Sequence, residues 1–301
     1  MSFHYRFAPV AGVLVAIAIS AATADEVTTK QRKVAETNLG TAGLKKGVIV
    51  ESDNLILCSA LPEARGKVVS GALEKVYKTG RKGLQFDAKE EAWKGKLAVY
   101  FFPTRLEYNQ FLRLVAGEKP GTPYAIGIRS DEPYIVGGGD VGEKAKDTEI
   151  VAELGPVIGA ALLLSKTGPS TPVPGWVKNG FGRAVTLRSE GPNGKRFVDY
   201  KIEAKKTILS GTKPVTVADI WGSERPDGDV LATNLMDYMA FGPGAANFSK
   251  FLTSLKPDEN DNAPSITTAL ESAGWKWEAL DAAWKKWVTA GMPEPKTTPA
   301  K

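Results

Sequence analysis

Residues 148–166 carry apolar side chains at Ile150, Val151, Leu154, Val157, Ile158, Ala161 and Leu162. That is the i, i+3, i+4, i+7 recurrence of one broad helix face, so the stretch predicts a long core helix. A Gly/Pro loop follows, and a second helix is predicted to begin near Pro174. A chain with these two helices must pack them together and cover them, and the rest of the sequence is read as the scaffold that does so. Pro156 stands inside the first helix. In a helix interior proline deletes the bond to the residue four back, here Ala152, and costs about 3 kcal/mol against alanine. A kink or restart is therefore expected at Pro156, with Gly155 and Gly159 loosening the same turn.

Upstream of this pair the periodicity switches between strand and helix. Residues 47–59 alternate and then run apolar, which predicts one or two strands. Pro62 fits the first turn of a helix that carries Val68, Val69, Ala72, Leu73, Val76 and Tyr77 at helical spacing, ended by Gly80 and Gly83. Residues 96–102 predict a strong strand closed by Pro103. Thr104 is the expected cap of the next helix, with Glu107 as its capping-box partner. Two short strands are expected over 124–128 and 134–136. Downstream, helices are predicted over 148–166, 176–187, 229–241, 245–255, 266–273 and 277–290, with a short one near 217–221. The fold class expected is α+β. A small N-terminal mixed α/β sheet unit (47–146) precedes a mostly helical unit (147–290). Residues 25–46 read as a flexible, Lys-rich leader, and 291–301 as a disordered tail.

Residues 1–24 read as an export signal: Arg6, an apolar run over 11–19, and the small-residue site Ala22-Thr23-Ala24 before Asp25. The run is much shorter than the roughly 20 residues that cross a bilayer. No other stretch reads as a membrane span, so an exported protein, periplasmic or secreted, is expected. The sequence has 301 residues and a formal net charge of +5, too mild an excess to indicate nucleic-acid binding. Its one cysteine, Cys58, sits in a strand-like run and reads as buried filler. Its one histidine, His4, lies in the expected signal. The exported chain would therefore have no imidazole base, no Ser-His-Asp triad and no histidine-ligated metal.

The string Gly137-Gly138-Gly139-Asp140-Val141-Gly142 fits G-x-G-x-x-G. A dinucleotide site also needs a helix opening on the glycines and a further parallel strand, and a Gly/Pro loop follows the helix here. The glycines read as a turn. Trp277, Leu280, Trp284 and Trp287 recur at helical spacing and read as core rather than as a stacking platform. Asp227-Gly228-Asp229 and Asp258-Glu259-Asn260-Asp261 lack calcium-loop spacing and read as solvated turns.

Within the helix pair, Ala152 and Pro156 are four apart and share a side, with Glu153 beside them. In an H-E-x-x-H site two histidines at that spacing hold zinc, and the glutamate activates its water. The order of elements resembles the peptidase-MA-like (gluzincin, thermolysin-type) zinc metallopeptidase domain. The likeness rests on three strings. They are the strand Leu97-Ala98-Val99-Tyr100-Phe101-Phe102, the frame Ala152-Glu153-Leu154-Gly155-Pro156, and Pro174-Gly175-Trp176-Val177-Lys178-Asn179-Gly180-Phe181, which is similar to the family's P-x-W-x-x-E-G pattern. The resemblance implies histidines at 152 and 156, a ligand glutamate at 179, and the water-activating role at Glu153. The sequence departs at all three ligand positions: Ala152, Pro156 and Asn179. Alanine and proline offer zinc no donor and asparagine only a weak one, so zinc is expected to be lost and no cofactor replaces it. Glu153 is expected either to pair with Lys178 or Arg183 or to face solvent. The function expected is that of an inactive peptidase relative in the cell envelope, binding peptide or envelope polymer. The alternatives are an active hydrolase using Glu153 with other ligands, and an envelope-interaction protein whose cleft has closed.

Overall fold

The computed structural model describes residues 24–44, 46–128, 132–138, 141–142, 144–209, 215–221 and 228–294. The expected signal, apart from Ala24, lies outside them, as do residues 295–301. Five strands are formed: β1 (Val48–Glu51), β2 (Leu55–Ser59), β3 (Leu97–Phe101), β4 (Ala125–Gly127) and β5 (Tyr134–Gly137). The helices of the sheet unit are α1 (Ala24–Thr41), α2 (Glu63–Gly83) and α3 (Arg105–Phe111), the last continued by a π-helical turn over Leu112–Ala116. The second half contains α4 (Asp147–Thr167), α5 (Gly175–Arg188), α6 (Lys195–Leu209), α7 (Ala218–Trp221), α8 (Gly228–Phe241), α9 (Ala245–Thr253), α10 (Ile266–Ser272) and α11 (Trp277–Thr289). The α+β expectation holds.

The sheet runs in the order β1-β2-β3-β5-β4. Strands β2, β3 and β5 are parallel, while the edges β1 and β4 run antiparallel to their neighbours. Every residue of β2 and β3 is buried. A strand buried on both faces needs a layer on each side. On one side Leu55, Leu57, Val99, Phe101 and Ile135 meet α2 and α4 in a core that continues through α5, α8 and α11. On the other, Ile56, Cys58, Tyr100 and Phe102 meet Ala35 and Leu39 of α1 and Tyr108 and Phe111 of α3.

That second layer corrects the reading of 25–46 as a flexible leader. Most of it is α1. Gln31 is buried, its Nε2 donates to Lys94 O at 3.1 Å and its Oε1 accepts from Lys96 N at 3.0 Å. Asn38 Nδ2 donates to the Tyr100 hydroxyl at 3.0 Å. The leader reading failed because one layer of a two-faced sheet is covered by few apolar residues, and a Lys-rich exposed face masks them. Residues 291–294 of the expected tail are likewise not loose. Met292 is buried and Glu294 pairs with Arg188, so this stretch is fixed to the body.

Thr104 caps α3 as expected, accepting from Glu107 N. Pro62 is the cap residue of α2 rather than its first turn. Glu74 on α2 ties the β1–β2 turn, accepting from Ser52 Oγ at 2.8 Å and from Asn54 N at 2.6 Å. α6 was not anticipated, although Phe197, Tyr200, Ala204 and Ile208 are all buried at helical spacing. Trp284 and Trp287 are core residues, with Trp284 Nε1 donating to the buried Asn234 at 2.8 Å. Among the described residues α4 is the one helix long and apolar enough to cross a membrane by length and composition. It passes that test because it is a core helix, packed between α2 and α5 and mostly buried.

Candidate functional site

α4 begins where Arg65 clamps it. The Arg65 guanidinium donates from Nε to Asp147 Oδ1 at 2.8 Å and from Nη2 to Ala145 O at 2.7 Å. Lys146 N donates to Glu149 Oε2 at 2.8 Å, closing the first turn. The helix then runs unbroken through Pro156 to Thr167, so the expected restart does not occur. The glycines around Pro156 have another use than loosening the turn. A β-carbon on Gly155 would stand 2.6 Å from Thr186 Oγ1, and one on Gly159 would stand 2.6 Å from Gly182 Cα. Gly155 makes room for the Thr186 side chain, and Gly159 lets α5 approach main chain to main chain.

Glu153 is half-buried and lies against the end of β5: a β-carbon on Gly137 would be 3.9 Å from Glu153 Cγ and 4.0 Å from its Oε1. Asn179 is held from the neighbouring strand end. The Tyr124 hydroxyl donates to Asn179 Oδ1 at 3.0 Å. The register pairs Ala125 with Val136, so Tyr124 falls opposite Gly137. Glu153 thus lies against the end of β5 and Asn179 is tied through Tyr124 to the adjoining end of β4, at one corner of the sheet; neither lines the cleft beside it. Burial pushes the Tyr124 phenol up, and the charge of Arg183 pulls it part of the way back.

Among the described residues no ion pair joins Glu153 to Lys178 or Arg183. Arg183 Nη1 meets Asp229 Oδ2 of α8 at 2.5 Å, and Lys178 has no ion pair among the described residues. Asp229 stands in the exposed first turn of α8, and Asp227 of the same expected turn lies outside the described residues. The G-x-G-x-x-G glycines form a turn where described: Gly138 has φ 110° and accepts from Val141 N at 3.0 Å. Residues 139 and 140 lie outside the described set.

Beside the corner opens a cleft of about 430 Å³. Ala152 and Pro156 of α4 line it with Arg183, Thr186 and Leu187 of α5. Its far wall is Arg196, Asp199, Tyr200 and Glu203 of α6 with Asp229 and Val230 of α8. The α6 wall could not be read from sequence, since only the tertiary fold brings it there. Burial, then the nearby Asp237 charge, holds the Tyr200 phenol far above its ordinary range. Behind the wall Arg188 pairs with the fully buried Asp237, between the rings of Phe197 and Phe241.

Zinc does not fit these residues. Ala152 and Pro156 present only hydrocarbon to the cleft, and the Asn179 oxygen already accepts from Tyr124. Among the described residues no three His, Cys, Asp or Glu side chains stand together as a ligand set. What remains is a mixed apolar and charged cleft of the size that binds small molecules or short peptide segments. Comparison with models of known protein families finds no match to this chain, and comparison with curated proteins finds none either.

Proposed function

We propose that this protein is an exported, catalytically inactive relative of the gluzincin-type zinc peptidases. Its cleft binds peptide or cell-envelope polymer without cleaving it. One observation carries the reading: the two helix positions four residues apart that would hold the metal, Ala152 and Pro156, both face an open cleft and neither has a donor atom. Glu153, at the water-activating position, lies at the end of β5, and Asn179, at the third, is bonded to Tyr124 beside the paired end of β4. The openness of the cleft favours this over a version of the fold in which it has closed.

The test is metal analysis of the purified protein together with a binding screen of peptides and cell-wall fragments. The expected result is far less than one equivalent of zinc, with ligands bound and recovered intact. Zinc near one equivalent, with chelator-sensitive cleavage of a peptide, would overturn the proposal and favour an active hydrolase built around Glu153.

A further inference from the structure

Three of the chain's exposed large apolar side chains lie on one helix: Val198, Ile202 and Leu209 of α6, exposed by 40%, 66% and 42%. At 3.6 residues per turn they fall within about 40° of one another and run for about 16 Å along the axis. The opposite side of α6 is occupied, because Phe197, Tyr200, Ala204 and Ile208 are buried in the core. The stripe is therefore an outward ridge that the described fold does not cover.

The charges of α6 are sorted around that ridge. The helix has five basic residues (Lys195, Arg196, Lys201, Lys205, Lys206) and two acidic ones, Asp199 and Glu203. Both acids line the cleft, on one flank of the helix. Lys205 borders the aliphatic sector on one side, and Lys195 and Lys206 border it on the other. Lys195 is matched by Asp199 at 2.5 Å, and Lys201 turns inward over the Phe197 ring at 4.6 Å. Lys205 and Lys206 are exposed and have no ion pair among the described residues.

We propose that this face of α6 seats the protein on an anionic phospholipid bilayer. An aliphatic ridge bordered by lysines matches an acidic headgroup layer: the side chains reach the acyl boundary while the ammonium groups meet phosphates. A protein partner is a poorer fit, because protein hot spots fill pockets and this is a convex ridge. The cleft opens on the neighbouring flank of the same helix, so docking would hold it beside the membrane surface. The inference stands whether or not the cleft descends from a zinc site.

Vesicle co-sedimentation of the full chain tests it. Vesicles of mixed phosphatidylglycerol and phosphatidylcholine should bind the protein, phosphatidylcholine vesicles should not, and added salt should weaken binding. Lys205→Glu with Lys206→Glu should lower affinity by at least about tenfold. Ile202→Asp should lower it as well, without changing the circular dichroism spectrum, since the position is exposed. Lys250→Glu with Lys256→Glu, the same charge change on a different surface, should leave affinity within about twofold. The proposal is overturned if the protein ignores phosphatidylglycerol. It is equally overturned if the control pair weakens binding as much as the α6 pair, or if Ile202→Asp has no effect.

Discussion

The main chain of Gly159 on α4 touches that of Gly182 on α5: a β-carbon on Gly159 would stand 2.6 Å from the Cα of Gly182, and one on Gly182 would collide with the Pro156 carbonyl oxygen. Nothing at this crossing is a flexible side chain that could move aside. Gly182→Ala should therefore destabilise the protein by about 2–3 kcal/mol through overpacking, read as a lower urea midpoint with an unchanged slope. A full-stability Gly182→Ala variant would mean that α4 and α5 are not this close. The separation matters because the two helices carry the Ala152, Pro156 and Asn179 positions.

Arg188 and Asp237 form a buried pair, and Arg188 also reaches Glu294 at 2.9 Å. Burial raises the Asp237 carboxyl despite the pull of Arg188, and the two acidic partners keep the guanidinium charged against its own burial. Removing one partner leaves a buried charge, so Arg188→Leu should cost about 3–5 kcal/mol at neutral pH, and Arg188→Leu with Asp237→Leu should recover much of it. The sign of the pH effect follows. Without Arg188 the folded-state pKa of Asp237 rises further, so the folded state of the variant binds the proton more readily than the unfolded chain. The deficit of Arg188→Leu should shrink as pH falls through that raised value. Denaturation curves across pH check this, and a deficit that grows on acidification would contradict it.

Leu39 is buried on the sheet face opposite α4. If α1 is an integral layer, Leu39→Ala should cost about 2–5 kcal/mol. If residues 25–46 were a loose leader, the same change would leave the thermal midpoint where it was.

Cys58 is fully buried, and burial pushes its thiol well above the ordinary range. It should stay unreactive toward an aromatic disulfide reagent in the native protein and react with one equivalent after denaturation. Rapid native labelling would show that β2 is not covered by α1 and α3.

What could be read from the sequence was whatever depends on neighbours within a few turns. The fully apolar β3, the Thr104–Glu107 cap and the long face of α4 all announce themselves through spacing. Elements that bury a narrow stripe under many charges were harder to read. α1 rests on few apolar residues, and α6, whose Phe197, Tyr200, Ala204 and Ile208 did carry a helical signal, is diluted by five basic side chains. At the site, the order of the strings singled out Ala152, Glu153, Pro156 and Asn179 as candidates, and of these Ala152 and Pro156 line the cleft. Partners distant in sequence were invisible: Tyr124 for Asn179, Asp229 for Arg183, and the α6 wall of the cleft. The restart expected at Pro156 did not occur because propensity is local, while the Gly159–Gly182 approach at that turn is tertiary.

The most direct measurement is zinc titration of a chain in which the donors are put back: Ala152→His, Pro156→His and Asn179→Glu together. The account predicts about one equivalent of tightly held zinc in the folded triple variant and none in the native protein, since a catalytic-type zinc site takes three such protein ligands and a water. A folded triple variant that takes up no zinc, or a native protein that already carries an equivalent, would contradict it.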